Sequence, residues 1–574
     1  MHDVSEMPHV GEFRTLPQAL ADAAAGDAGY VFADGRVERP RSFSELHQAS
    51  LARARTLRAS GLERGDVVAL IVVDGEEYLT ALFAASVAGL VPASLYPPAT
   101  ASDLPRYLEA TAATLRAARA RAIVASPSLV TAMEGLRRHC PDLAVIVSSA
   151  PADAVLDDGP RHRLLDPGNT RDVSLDGVSL DDVSLDDVSL DDVAFVQFTS
   201  GSTSRPKGVT ITHRSLAANI DAINGPAGLA ATQADSAVSW LPLYHDMGLV
   251  GMALAALYFG RPAVLMTPST FVKRPVEWLR TISRHRATVS FAPNFAYDLC
   301  LRRVNDADLE GLDLSCWRIA GCGAEPIHPA TLAKFADRFR AAGFRHTSFM
   351  PCYGLAEHVL AATLAPPGRP LRVDRRSGVP LVSCGSPLPG HRIRIVTEDD
   401  RDAAEGTAGE IALAGPSVML GYCGDDEMTA GALHDGWLHT GDLGYLADGE
   451  LFVCGRTKDT VVVNGRKHYP HDLEWALDDL AGIRRGRVVA FGAARDGLAD
   501  RLVMIVEPNG TVAVDELAKL IRHRVRDASG LYVDDVVLVP NGTIARTTSG
   551  KVRRLAMRTR YEAGEFSSAP DEQG

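Results

Sequence analysis

Apolar and polar positions along the first 150 residues switch between two periods. Phe43–Gly61 and Glu76–Ala88 have helical spacing, and Leu104–Ala120 continues it as a long Ala/Leu/Arg helix. Between them, Asp66–Val73 (DVVALIVV), Leu90–Leu95 and Ala122–Val124 read as short, buried, apolar strands. Strands alternating with helices of this length predict parallel sheet with helices on its faces. The same texture resumes with a strand at Ala194–Phe198 and a helix at Ser215–Ile223, and runs to about residue 365.

From Leu381 to Val453 the pattern changes to short alternating strands (HRIRIV, GEIALA, GELFVCG) rich in glycine, which predicts a small antiparallel or barrel-like subdomain at about 381–455. Beyond Asp459, strands near Thr460–Val463, Arg487–Gly492 and Leu502–Val506 and helices at Pro470–Leu480 and Val514–Ala528 form a compact segment. The expected division is a large N-terminal body, 1–457, and a small α+β domain, 458–574; one core seldom grows past roughly 300 residues, and the chain has 574. Residues 172–193 repeat a five-residue unit (DVSLDGVSLDDVSLDDVSLDDV) that suits neither the helix nor the strand period. A solvated acidic linker is the favoured reading over a short solenoid, which would need more copies and caps.

Composition narrows the function. With 72 acidic and 59 basic residues the formal charge is −13, so no general basic field exists for nucleic acid. No apolar run reaches the roughly 20 residues of a membrane helix, and the first residues lack the basic and apolar regions of a secretory signal; the expected location is cytoplasmic. The eight cysteines form no CxxC pair, which points to reduced thiols.

The chemistry starts in the loop Thr199-Ser200-Gly201-Ser202-Thr203-Ser204-Arg205-Pro206-Lys207-Gly208, directly after a buried strand. Small residues let backbone amides close on phosphate oxygens, hydroxyls add donors, and Lys207 supplies a point charge. By composition alone this is equally a polar surface loop. It is not a Walker A loop, because Lys207 precedes Gly208 and the strand-like VTIT follows.

Further strings follow in order: Trp240–Leu249 (WLPLYHDMGL), Gly323–Pro326 (GAEP), Tyr353–Glu357 (YGLAE), Gly436–Asp442 (GWLHTGD), Gly455–Asp459 (GRTKD) and Arg546–Lys551 (RTTSGK). Over roughly residues 15–560 the chain resembles the adenylate-forming superfamily of acyl-CoA synthetases, peptide-synthetase adenylation domains and luciferases. LPLYHDMGLVG, APNFAYDLC, PCYGLAE, LRVDR with LVSCG, and GRKHYPHDLE are most similar to fatty acyl-AMP ligases.

That resemblance implies a fold of parallel-sheet α/β subdomains, a β-barrel-like subdomain and a mobile C-terminal lid. It implies ATP-dependent activation of a carboxylic acid, a fatty acid in the nearest likeness, with ATP and Mg²⁺ as cofactors. The acyl group would pass to an acyl carrier protein or to CoA. By the same resemblance Thr199, Ser200, Gly201, Ser202, Thr203 and Lys207 hold phosphate; Gly323, Ala324, Glu325, Tyr353, Gly354, Leu355 and Ala356 enclose adenine. Asp442 would accept from ribose hydroxyls, Arg456 contact ribose or phosphate, and Glu357 hold Mg²⁺. Lys551 would touch carboxylate and α-phosphate, His245 would line the acyl site, and Lys458 would be the hinge.

Read as residues alone, Tyr353 is a core aromatic, Asp442 a turn residue in Gly-Asp-Leu-Gly, and His245 a packed neutral histidine. Two departures stand out. Ser204 occupies a position where the superfamily commonly has glycine, and only Arg376–Pro380 fills an insertion that is usually longer in fatty acyl-AMP ligases. The second leaves the acceptor open between carrier protein and CoA, and the acid open to an aryl acid or nitrite. A non-catalytic nucleotide-binding protein is the alternative of another class, disfavoured because Lys551 and Glu357 are both present.

Overall fold

The computed structural model describes residues 13–98, 104–150, 188–199, 207–375, 379–463, 466–495, 498–546 and 551–566. Helix starts are set locally: Thr15, Ser42 and Thr212 each accept from the third helical amide, and Gln18, Glu45 and Ser215 return a bond to the cap backbone. The predicted helices appear as Phe43–Ala59, Gly75–Val87 and Leu104–Ala117, and the predicted strands as Val67–Ile71, Val91–Ser94 and Ala122–Ala125.

Two large sheets form the body. In the first, Val67–Ile71 pairs in parallel with Val91–Ser94 and Ala122–Ala125, while Val193–Thr199 pairs antiparallel with Lys207–Thr212. In the second, Ala237–Ser239, Ala263–Met266, Val289–Ala292, Ile319–Cys322 and Phe349–Gly354 are parallel, with antiparallel partners at both edges. The sheets are therefore mixed rather than purely parallel. The reason is connection length: only residues 200–206 join Thr199 to Lys207, enough for a hairpin but too few for a parallel crossover.

The core of the second sheet is aromatic. Trp240 stacks on Phe271 with centroids 3.8 Å apart, Trp278 meets Trp317 edge-on at 5.1 Å, and Tyr297 meets Phe335 edge-on at 5.1 Å. Such pairs add about 0.5–1.5 kcal/mol each beyond the area they bury.

Arg392–Val396, Gly409–Ala414, Leu433–His434, Trp437–Ala447 and Glu450–Arg456 make a five-stranded antiparallel sheet. Ile483–Arg495, Leu498–Pro508 and Asp535–Leu538 make a separate three-stranded sheet. Its apolar clusters contain only residues from Val461 onward, whereas the buried residues of the main clusters end at Leu451 and a small cluster from Leu381 to Cys454 packs against Tyr469. Val188–Val193, the end of the acidic repeat, is described; residues 172–187 lie outside the described residues. Among the described residues no helix is long and apolar enough to cross a membrane.

Candidate active site

A cavity of about 1060 Å³ collects most of the residues singled out in the sequence. Thr199, Lys207, His245, Ala324, Glu325, the run Tyr353–Glu357, Asp442, Arg456, Lys458 and Lys551 all line it. Ser200, Gly201, Ser202 and Thr203 lie outside the described residues. Thr199 and Lys207 are paired across the base of that loop.

Asp442 sits within the strand Trp437–Ala447, not in a turn, and is almost wholly buried. Its Oδ2 accepts the Tyr353 hydroxyl at 2.8 Å, and its Oδ1 accepts Arg456 Nε at 2.8 Å. Asp442 and burial between them set the protonation here: Asp442 holds the Arg456 guanidinium firmly charged, and burial, followed by the Asp442 charge, keeps the Tyr353 phenol protonated. Tyr353 thus presents a ring to the cavity while its polar end is tied down.

Gly323 precedes the second wall. A Cβ there would lie 2.5 Å from Cys352 Sγ, so only glycine lets the two strand ends approach this closely. Ala324 follows at φ +68°, in the left-handed region. The Glu325 carboxylate then accepts the Phe295 amide at 2.6 Å. Burial raises its pKa, against the pull of that amide, Lys551 and Arg546.

Elsewhere in the cavity lining, Tyr422 links two of the expected groups. Its hydroxyl donates to Glu357 Oε1 at 2.8 Å, and Lys207 Nζ lies 3.5 Å from the same hydroxyl and 4.7 Å from the ring centre. Burial lowers the pKa of Lys207, Glu357 opposes this, and Lys458 and Arg456 add to it. Nothing around Gly421–Tyr422 in the sequence marks this tyrosine, whose strand pairs with Val209 and Thr210. Only the fold reveals it.

His245 Nδ1 and Asp246 Oδ1 are 2.5 Å apart, and the same oxygen accepts the Met247 amide at 2.7 Å. Asp246 stays below its ordinary pKa: burial pushes it up, but His245, Lys551 and the amide outweigh burial. Lys551 enters from the C-terminal segment. Burial lowers its pKa, and Asp246 does most to oppose that, with help from Glu325 and Asp442. Directly after this motif, Leu249–Leu254 is a π-helix, a local irregularity often found beside functional sites.

Within the segment Phe291–Tyr297, Phe291 and Phe295 line the cavity, whereas Tyr297 is wholly buried in the aromatic core and donates to the Gly321 carbonyl at 2.7 Å. Among the described residues no group of three or more His, Cys, Asp or Glu is arranged to hold a metal ion by itself. Mg²⁺ needs only one or two carboxylates, completed by phosphate oxygens and water, so a single Glu357 beside Lys207 fits that ion with a nucleotide.

The cavity therefore joins the Tyr353–Asp442–Arg456 hub, cations at Lys207 and Lys551, a carboxylate at Glu357 and an apolar wall at Phe291 and Phe295, a set that suits an enzyme coupling a nucleotide to an acid. Residues 20–423 match the family described as AMP-binding enzyme, and residues 458–570 match the Disco-interacting protein 2-like AMP domain. The chain belongs to the AMP-binding, adenylate-forming family, and its similarity within it is to the fatty acyl-AMP ligases.

It is 34% identical to the long-chain-fatty-acid–AMP ligase FadD26 of Mycobacterium marinum, over 96% of this chain and 98% of that protein. It is also 34% identical to the 4-hydroxyphenylalkanoate adenylyltransferase of the same organism, over 94% of this chain and 89% of that one. A solved structure of the fatty acyl-adenylate ligases of E. coli and L. pneumophila superposes with a TM-score of 0.85 at 34% identity, covering 96% of this chain and 99% of that one. The protein is an ATP-dependent acid–AMP ligase with a small-molecule acid substrate.

Proposed function

We propose that this enzyme adenylates a fatty acid with Mg²⁺-ATP and hands the acyl group to the phosphopantetheine thiol of an acyl carrier protein. The observation that carries it is the convergence of Lys551, Glu357 and Asp442 on one cavity that also has apolar walls at Phe291 and Phe295.

In this reading a carboxylate oxygen attacks the α-phosphorus, the bond to the bridging oxygen breaks, and pyrophosphate leaves. Two anions must meet, so positioning and charge neutralisation dominate. Tyr353 stacks on adenine against the Gly323–Glu325 wall, with Gly354, Leu355 and Ala356 continuing the enclosure. Asp442 accepts from the ribose, and Arg456 contacts ribose or phosphate. The 199–207 loop and Lys207 hold the pyrophosphate end. Glu357 would hold Mg²⁺, which would screen the phosphate charge. Lys551 neutralises the charge that builds between carboxylate and α-phosphate, so it acts on turnover more than on binding. His245 lines the acyl entrance. Residues 458–574 form a lid that turns about Lys458, a short helical turn at Thr457–Asp459, between adenylation and transfer.

One observation favours CoA as the acceptor instead. Val373–Asp374 and Leu381–Val382 pair directly, so the short stretch between Asp374 and Leu381 leaves little chain to restrain a lid. Acid-dependent ATP–pyrophosphate exchange over a panel of fatty and aryl acids tests the reading. Exchange greatest with fatty acids, and thioester formed on carrier protein but not on free CoA, is the expected result. No exchange with any fatty acid would overturn the substrate class, and thioester on CoA alone would overturn the acceptor.

A further inference from the structure

Lys551 is one side chain at the end of a short connection, and its usefulness depends on where that connection points. Val552 bridges antiparallel to Arg546, and the Arg553 amide donates to the Ala545 carbonyl at 2.9 Å, so the lysine leaves from the mouth of a small hairpin. Two buried carboxylates hold its base.

The first is Glu507, with none of its side chain exposed. Its Oε1 accepts the amides of Gly542 and Ile544 at 3.0 and 2.9 Å, fixing the incoming arm. The second is Glu474, on the helix Pro470–Trp475. Its Oε1 accepts the Ala490 amide at 2.9 Å and Arg554 Nη1, and its Oε2 lies 3.4 Å from Arg554 Nη2. Arg554 Nη1 also donates to the Ala490 carbonyl at 2.7 Å. Glu474 and Arg554 are each only 15% exposed and both line the cavity. One ion pair thus ties together a helix, the strand Ile483–Arg495 and the outgoing arm, three residues from Lys551.

The forked geometry is what makes this a positioning device rather than a generic pair. A guanidinium held by a carboxylate through two nitrogens, and by a carbonyl as well, has little rotational freedom. Displacing a reacting group by about 1 Å can cost on the order of 10²-fold in rate. We infer that Glu474, through Arg554, is a positioning residue that aims Lys551 at the reacting centre, with Glu507 steadying the opposite arm. The inference rests on the proposed role of Lys551.

The test is a double-mutant cycle on the full-length enzyme, using ATP–pyrophosphate exchange with the acid that performs best in the panel above. E474Q keeps shape and one acceptor for the Ala490 amide but loses the charge that grips Arg554. It should lower kcat by about 10–10²-fold, with KM for ATP and affinity for AMP changed less than about threefold. In a K551A background, E474Q should have no further effect, because a group acting only through Lys551 has nothing left to aim. R554K, which keeps the charge without the fork, should reproduce E474Q and carries the same test if E474Q does not fold.

A slow K551A beside an E474Q or R554K of normal kcat would overturn the inference and leave the role of Lys551 standing. Equal, additive losses in both backgrounds, or a matching loss of AMP affinity, would make Glu474 merely structural. A K551A of normal rate would overturn the underlying reading instead.

Discussion

The Tyr422 hydroxyl donates to Glu357 Oε1 at 2.8 Å across 65 positions of sequence, while Lys207 Nζ lies over the same ring. The phenol thus spaces a carboxylate from a cation in the cavity lining. Removing the hydroxyl alone leaves the ring under Lys207 but frees the carboxylate to swing. A hydrogen bond to a charged group is worth about 1.5–3 kcal/mol. Tyr422→Phe should therefore raise the Mg²⁺ concentration that half-saturates exchange by about tenfold or more, read in a magnesium titration at fixed ATP.

Asp442 accepts from both Tyr353 and Arg456, so the two sides of that hub should respond unequally. Tyr353→Phe gives up one hydrogen bond and keeps the ring, and should weaken AMP binding by less than about tenfold. Asp442→Asn removes the charge that faces Arg456 and, on the proposed reading, the acceptor for ribose, and should weaken it by about 10²-fold. Calorimetric titration with AMP measures both.

Arg485 Nη2 reaches Asp298 Oδ1 at 3.3 Å, and Arg302 Nε holds the other oxygen at 2.8 Å. The His328 and Trp475 rings lie 4.7 Å apart nearby. These contacts join the C-terminal segment to the body beside the cavity. Arg485→Ala should slow exchange by about three- to tenfold at low ionic strength. The deficit should narrow in high salt, since partly exposed pairs are screened.

His213 is 2% exposed and accepts the Leu16 amide at Nδ1, 3.0 Å away. Burial lowers its pKa from the ordinary 6.5 to about 4, opposed weakly by Asp192. Between those values the unfolded chain takes up a proton that the native state refuses. Stability should therefore fall as pH drops from 6.5 to about 4, by up to about 3 kcal/mol from this group, with no further loss below. His213→Gln keeps an acceptor for Leu16 and should flatten that slope in urea midpoints measured across the range.

Much of the fold was legible because it is written in local period. GEIALA is a strand at Gly409–Ala414 to the residue, and Phe43, Gly75 and Val514 open helices at or next to the positions that spacing predicts. What local period leaves open lies where partners are remote. The antiparallel edges depend on connections rather than on strand composition. Asp442 sits in a strand because Gly409–Ala414 and Glu450–Arg456 flank it, although its neighbours Gly441 and Gly444 suggest a turn. Likewise the ordered strings named the groups that meet in the cavity, but Tyr422 carries no signal of its own, and Glu474, although it ends the GRKHYPHDLE string, is not marked there as the partner of Arg554; each matters through a partner at least 65 positions away.

Gly321 offers a last lesson. A Cβ there would fall 1.9 Å from the Phe291 ring, so the aromatic rests on bare backbone at the cavity wall. Phe291 belongs to the main apolar cluster and also lines the cavity, so its ring is shared between core and chamber. On the proposed reading, a smaller residue at Phe291 would hand part of that ring's volume to the chamber, so a single codon could change the size of acid accepted while Lys207 and Glu357 keep their places.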